Sequence, residues 1–175
     1  MEPFESWTTK RLILRRPVED DVESVLAYWS DPEVHRFLQH PVSDDLAEAQ
    51  GFLRHLASAW EKGESFGLAM IEAATGRLVG MIEARVSLHG IELGYVLHRD
   101  VWGKGYATEA VAAVVDWALE QPEVYRVWAY VHVGNTASQR VLEKAGMVNE
   151  GILHRWGPRA GMAPADSYMY GIWVE

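Results

Sequence analysis

Apolar and polar positions along this 175-residue chain change period several times, and each change marks an element. Leu12-Ile13-Leu14 lies between Arg11 and Arg15-Arg16 and reads as a first strand over Arg11–Arg16, stopped by Pro17. Beyond Asp20-Asp21, Val22, Val25, Leu26 and Trp29 recur at helical spacing, with the acidic residues at the favourable end of the helix dipole. Asp31-Pro32 has the form of an N-cap and first-turn proline for a short second helix reaching Phe37 and Leu38. A third helix is expected after Ser43, where Leu46, Ala49, Leu53, Leu56, Ala57 and Trp60 form one stripe that Gly63 ends.

β-prone runs then take over. Phe66–Glu72, Arg77–Arg85 and Ile91–Leu97 are separated by the turn segments Ala74-Thr75-Gly76 and Ser87-Leu88-His89-Gly90, which makes them antiparallel neighbours. A glycine-rich turn leads to a helix that buries Ala107, Ala110, Val111, Val114 and Ala118 and closes at Pro122. Val124–His132 reads as a strand, Asn135–Ala145 as a helix stopped by Gly146, and Gly151–Trp156 and Ser167–Val174 as the last two strands. The order β-α-α-α-β-β-β-α-β-α-β-β predicts one α/β domain over residues 1–175. Its sheet is mixed and mainly antiparallel, flanked by helices, with a single β-loop-α-β crossover between Ile91 and His132.

Composition narrows the function. Hydrophobic residues make up 49% of the chain, a globular proportion, and the net charge is −9, which disfavours nucleic acid as a partner. With no cysteine there is no disulfide scaffold, thiolate metal site or cysteine nucleophile. The seven histidines show no metal-ligand spacing, so no metal is expected. The N-terminus has no basic start followed by an apolar run, and no stretch of about 18 apolar residues occurs. The expectation is a cytoplasmic protein without a membrane partner.

The sharpest chemical signal is Trp102-Gly103-Lys104-Gly105-Tyr106-Ala107, set between a strand and a helix. Two glycines two apart let the backbone turn tightly and present N–H groups to an anion, reinforced by the helix dipole. Lys104 and Arg99 add positive charge. A dinucleotide fold would place a glycine where Thr108 stands and would follow the first strand of a parallel sheet; a P-loop sequence is absent. Gly63-Glu64-Ser65-Phe66-Gly67 spells a Gly-x-Ser-x-Gly, but a helix precedes it and a strand follows, the reverse of a nucleophile elbow.

With Thr108-Glu109-Ala110, the loop resembles the acetyl-CoA diphosphate loop of the GNAT N-acetyltransferase superfamily, specifically its RimJ/RimL branch. Thr9–Arg15 and Trp29–Val34 resemble that branch's opening, Glu92–Leu97 its fourth strand, and Asn135–Met147 its later coenzyme-binding helix. The resemblance implies a GNAT-type sheet with splayed fourth and fifth strands. Acetyl-CoA, as co-substrate, would be held by Trp102, Gly103, Lys104, Gly105, Tyr106 and Ala107. Its pantetheine arm would run past Tyr95, Val96 and Leu97, opposite Tyr130–His132, with further contacts at Asn135 and Ser138.

The implied activity is transfer of an acetyl group by direct attack of a primary amine, above all a protein or peptide N-terminal α-amine. A small-molecule amine (polyamine, antibiotic or amino acid) and a non-catalytic acyl-CoA-binding module are the alternatives. Such an attack needs a base, oxyanion donors such as an N–H at a bulge on the fourth strand, and a proton for the leaving thiolate. Glu92 leads as base because it shares a strand face with Gly94 and Val96, and Glu83 on the neighbouring strand is second. The superfamily's usual acid tyrosine is replaced by Leu142, and a relative's fifth-strand glutamate by Tyr130. The branch's Asn-x-x-Ser serine falls on Ser138, the expected thiolate partner, and its later glutamate on Gly157. The branch's habit of pairing, with eight tryptophans in the chain, implies a homodimer.

Overall fold

An opening hairpin, β1 (Ser6–Thr8) on β2 (Leu12–Arg15), starts an eight-stranded sheet in the computed structural model, which describes residues 6–88, 90–159 and 162–175. β1 carries one apolar residue, Trp7, and so has no alternation to betray it in the sequence; pairing to β2 makes it a strand. Helices α1 (Val22–Trp29), α2 (Pro32–His35) and α3 (Leu46–Glu61) follow. Asp31 Oδ1 caps α2 through Glu33 N at 2.9 Å, and Asp45 Oδ1 caps α3 through Ala47 N at 2.7 Å. α2 stops short of Phe37 and Leu38, contrary to the sequence expectation. His35 Nδ1 bonds the carbonyl of His40 at 3.1 Å and Leu38 N bonds His35 O at 3.1 Å, so the chain folds back there.

Strands β3 (Ser65–Glu72), β4 (Leu78–Ser87) and β5 (Gly90–Leu97) form the expected meander. α4 (Tyr106–Leu119) crosses over to β6 (Arg126–His132), then come α5 (Thr136–Lys144), β7 (Val148–Arg159) and β8 (Met162–Trp173). The spatial order is β1-β2-β3-β4-β5-β6-β8-β7, with β5–β6 the parallel pair among antiparallel ones. His89, in the predicted β4–β5 turn, lies outside the described residues.

The two sheet faces are buried separately. On one, Leu68, Ile82, Ile91 and Val127 pack under Ala110, Val111 and Val114 of α4. On the other, Ala69, Ile71 and Met81 pack under Val25 of α1 and Leu53 and Leu56 of α3. Strand alternation then sorts the later residues. Leu93, Tyr95, Ala129 and Val131 face α4 and α5. Glu92, Gly94, Trp128, Tyr130 and His132 sit at the alternating positions, on the α1–α3 side.

β5 and β6 pair only at Ile91↔Val127 and Glu92↔Trp128 and then part. The β4–β5 register runs unbroken from Gly80↔Leu97 to Ser87↔Gly90, so the bulge expected on the Glu92–Leu97 strand, β5 here, is absent from that pairing. Divergence of β6 opens the sheet instead. Ala129 to His132 pair wholly with β8, which draws the strand away from β5.

Candidate active site

The parting of β5 and β6 leaves a cavity of about 550 Å³ that is lined from both faces of the sheet. From the α4–α5 side it is lined by Tyr95, Asn135, Ser138 and Leu142, and from the other by Glu83, Arg85, Glu92 and Tyr130. Glu92, Tyr95, Val96, Asn135 and Ser138, widely spaced in the chain, therefore meet in one space. Leu97 and the loop from Trp102 to Ala107 lie beyond the cavity wall, at the far end of β5.

Three helices close their first turns with a side chain: Asp31 on α2, Asp45 on α3 and Asn135 on α5. α4 is different. Its N-cap is Gly105, at φ +84°, and no side chain caps it. The first-turn N–H groups of a helix have no intrahelical acceptor, so this end presents bare amides and the positive end of the dipole. Gly103 also has positive φ, +76°, and a Cβ built on it would touch nothing within 4 Å. The loop is open where an anion would approach.

The loop is held from behind by residues about a hundred positions earlier. Arg11 Nη1 donates to Lys104 O at 2.8 Å, and its Nε donates to Glu109 Oε2 at 2.7 Å. Glu109 Oε1 accepts from Thr9 Oγ1 and from Arg11 N, each at 2.6 Å. Burial alone would raise the Glu109 carboxyl, yet the bonds from Thr9 and Arg11 hold it below its usual range. Hydrogen bonds to charged groups contribute about 1.5–3 kcal/mol each, at the low end here because Arg11 is partly exposed. With the Lys104 carbonyl fixed on Arg11, the loop keeps its turn. The Arg11 guanidinium also covers the Tyr106 ring at 4.8 Å, and the Tyr106 hydroxyl donates to Glu72. Tyr106 thus has its side chain engaged and its backbone N–H to offer. Trp102, about half exposed, donates its indole N–H to Leu97 O at 3.1 Å and ties the loop to β5. Arg99, expected to add free positive charge, is paired with Asp31 at 3.1 Å, which offsets it.

On the cavity's α5 side, the Tyr95 hydroxyl and Ser138 Oγ are 2.6 Å apart. Asn135 Oδ1 accepts from Ser138 N at 3.2 Å and fixes the turn that carries the serine. Burial pushes the Tyr95 phenol well above its ordinary value, outweighing the bond from Ser138. Leu142 is buried and offers no proton. Gly157 has no room for a side chain in this packing, because a Cβ there would lie 2.9 Å from Ser167 Oγ.

On the opposite side, register places Arg85 across from Glu92 and Glu83 across from Gly94. Arg85 Nη1 donates to Glu92 Oε1 at 2.6 Å and its Nε to Glu83 Oε2 at 3.0 Å. Ser65 Oγ donates to Glu83 Oε1 at 2.5 Å, so the serine of the Gly-x-Ser-x-Gly string serves a carboxylate. Both Glu83 oxygens are engaged, whereas among the described residues Glu92 is held by Oε1 alone. Arg85 reaches between them because residue 94 is glycine; a Cβ there would lie 2.6 Å from Arg85 Nη2. Around this floor, Gln39 donates to the Tyr130 hydroxyl and Phe37 lies on His132 at 5.0 Å between centroids. Trp156 meets Tyr130 edge-on at 6.2 Å. Asp166 holds the break in β7 that presents it, accepting from Arg155 N at 2.9 Å where Arg155 has φ +51°. The ties of Arg11 to Lys104 and Glu109, and of Arg85 to Glu83 and Glu92, had no place in the sequence reading, since each joins residues distant in the chain or on another strand.

Among the described residues no group of three His, Asp or Glu is placed to hold a metal ion, and no helix is long and apolar enough to cross a membrane.

The family model for the acetyltransferase (GNAT) domain matches residues 11–148. The uncharacterized N-acetyltransferase p20 of Bacillus licheniformis is 29% identical over 174 residues, covering 97% of this chain and 96% of that protein. The [ribosomal protein uS5]-alanine N-acetyltransferase of Escherichia coli strain K12 is 25% identical over 154 residues, covering 82% and 78%. Among solved structures, a GNAT-family acetyltransferase from Bacillus anthracis superposes with a TM-score of 0.86 at 28% identity, covering 96% of this chain and 98% of that one. RimL, the ribosomal L7/L12 α-N-protein acetyltransferase in complex with coenzyme A, shares the fold at 17% identity, with a TM-score of 0.85 over 95% of this chain and 96% of that one.

Proposed function

Because the chain belongs to the GNAT acetyltransferase family, we propose that it moves the acetyl group of acetyl-CoA to the N-terminal α-amine of a protein or peptide. The observation that carries this is the opening through the sheet where β5 and β6 part. A hydroxyl pair lines it from one face and a carboxylate floor from the other, with the glycine-capped end of α4 beyond its wall at the far end of β5. Acetyl-CoA supplies a thioester-activated acetyl group. The residues present fit it: the N–H groups of Gly103, Gly105 and Tyr106 would hold the diphosphate, with Lys104 beside them, and Arg11 and Glu109 keep that loop in shape. Tyr95 and Val96 border the pantetheine slot.

Glu92 takes the proton of the attacking amine, directly or through one water, on its free Oε2. An α-amine has a pKa near 7.7–8.0 against about 10.4 for lysine, so at neutral pH a useful share is already deprotonated and a modest base suffices. The Tyr95–Ser138 pair gives a proton to the leaving sulfur, replacing the tyrosine that Leu142 displaces. Ser138→Ala and Tyr95→Phe are each expected to lower kcat about 10²-fold, the low end for a general acid because water can substitute, with the affinity for coenzyme A little changed. Burial holds Tyr95 protonated, so the rate should show no alkaline decline from this group below about pH 10. Fluorimetric thiol release across pH 6–10 reads both.

The α-amine reading is tested with one peptide carrying both a free N-terminus and an internal lysine, incubated with acetyl-CoA and mapped by fragment mass spectrometry. Acetylation at the α-nitrogen is expected; acetylation confined to the lysine overturns the reading.

A further inference from the structure

The acceptor half of the cavity has a charged floor and apolar walls. Glu83, Arg85 and Glu92 carry two negative charges and one positive, an excess of one negative. Burial works against the Arg85 charge, but the flanking glutamates sustain it. Burial and then neighbouring His35 push the His40 pKa down, which disfavours a positive charge there. The walls are Trp29, Phe37, Leu38, Phe52 and Met81. Trp29 packs against Phe52 and against His40, each at 5.2 Å between centroids, and so presents a fixed aromatic surface. Apart from Glu83 and Glu92, no carboxylate lines the space among the described residues.

From this juxtaposition, and resting on the α-amine reading, we infer that the preferred acceptor carries a large apolar group beside its nitrogen; at a peptide N-terminus, a large apolar first residue. One ammonium is matched by the one excess negative charge. A second cation, as in a polyamine, would have to enter apolar walls unpaired, and a carboxylate next to the amine would meet Glu83 and Glu92; both are costly to desolvate. A small polar first residue would leave the aromatic surface uncovered. Discrimination by a hydrophobic pocket of this kind amounts to about 10–200-fold.

The test uses the full chain with acetyl-CoA and lysine-free hexapeptides that differ only in their first residue, Leu, Phe, Ser or Asp, together with 2-phenylethylamine and spermidine. Leu and Phe peptides should exceed the Ser peptide in kcat/KM by about 10–200-fold, the Asp peptide should be poorest, and phenylethylamine should exceed spermidine. Phe37→Ala, on the loop and not in the packed core, should lower kcat/KM for the Leu peptide more than for the Ser peptide while leaving the KM for acetyl-CoA unchanged. Trp29→Ala should do the same more strongly. Equal rates for all first residues, or preference for Asp or spermidine, would overturn the inference while leaving α-amine acetylation standing. Turnover of phenylethylamine without turnover of any peptide would overturn the α-amine reading and keep the inference. No turnover of any acceptor would overturn both.

Discussion

Gly105→Val is expected to abolish acetyl-CoA binding in a protein that still folds. Gly105 stands at φ +84°, a conformation costing a β-branched residue about 1–3 kcal/mol. Its Cβ would lie 3.2 Å from Arg11 Nη2, so the guanidinium that fixes the Lys104 carbonyl must give way. The N-cap of α4 then leaves the geometry in which its amides converge, and the new side chain stands where a diphosphate would approach. Gly103→Val separates these effects. It has the same positive φ, +76°, but a Cβ there meets no protein atom within 4 Å, so any loss of binding comes from the backbone and the ligand alone. Thermal denaturation reads both. At 100 times its dissociation constant acetyl-CoA contributes about 2.7 kcal/mol to the unmodified protein, or roughly 5–10 °C for a domain of this size. The Gly105→Val protein should show almost none of that shift. A full shift in the variant would place the diphosphate elsewhere.

Glu92→Gln is expected to slow turnover about 10²–10⁴-fold at neutral pH, the usual worth of a positioned base. The amide keeps the length of the side chain and an oxygen for Arg85, so the floor is preserved while its proton acceptor is lost. The sign with pH follows from the acceptor. Above the α-amine pKa of about 7.7–8.0 the nucleophile arrives deprotonated and the base is no longer required, so much of the loss should be recovered by about pH 9.5. Glu83→Gln should slow the reaction far less, because both its oxygens are already engaged, by Ser65 and by Arg85. Equal slowing in the two variants, or a Glu92→Gln rate unchanged across the pH range, would remove Glu92 from this role.

Much of this architecture is written locally in the chain. The stripe from Leu46 to Trp60 states a helix, and the short turns between β3, β4 and β5 leave only antiparallel pairing. The paired glycines at 103 and 105 state a tight turn, and both take positive φ in it. What was illegible depends on partners. β1 has a single apolar residue and exists because β2 pairs with it. β7 and β8 run to Val148–Arg159 and Met162–Trp173, beyond their apolar segments, because each supplies the other's backbone partners through the register shifts. In the site, Glu92 was reachable by alternation along one strand. Its tie to Arg85 needed the β4–β5 register and the absence of a side chain at Gly94. Arg11 belongs to a segment whose resemblance was plain, but its contact with Lys104 spans 93 positions, and no period reports that. Tyr95 was expected on the pantetheine slot; its approach to Ser138 required α5 to dock beside β5.

Coenzyme and acceptor are expected to enter from opposite faces of the sheet and meet where β5 and β6 part. Amide chemical-shift mapping of this 19.7 kDa protein tests it in one titration series, first with coenzyme A and then with a lysine-free peptide beginning with leucine. Coenzyme A should perturb Gly103 to Ala107, Tyr95 and Val96, and Asn135 to Ser138. The peptide should perturb Phe37 to His40, Glu83, Glu92 and Tyr130, with the two sets overlapping only near Gly94. Perturbation of the same loop by both ligands, or a coenzyme response that bypasses Gly103 and Gly105, would exclude entry from opposite faces.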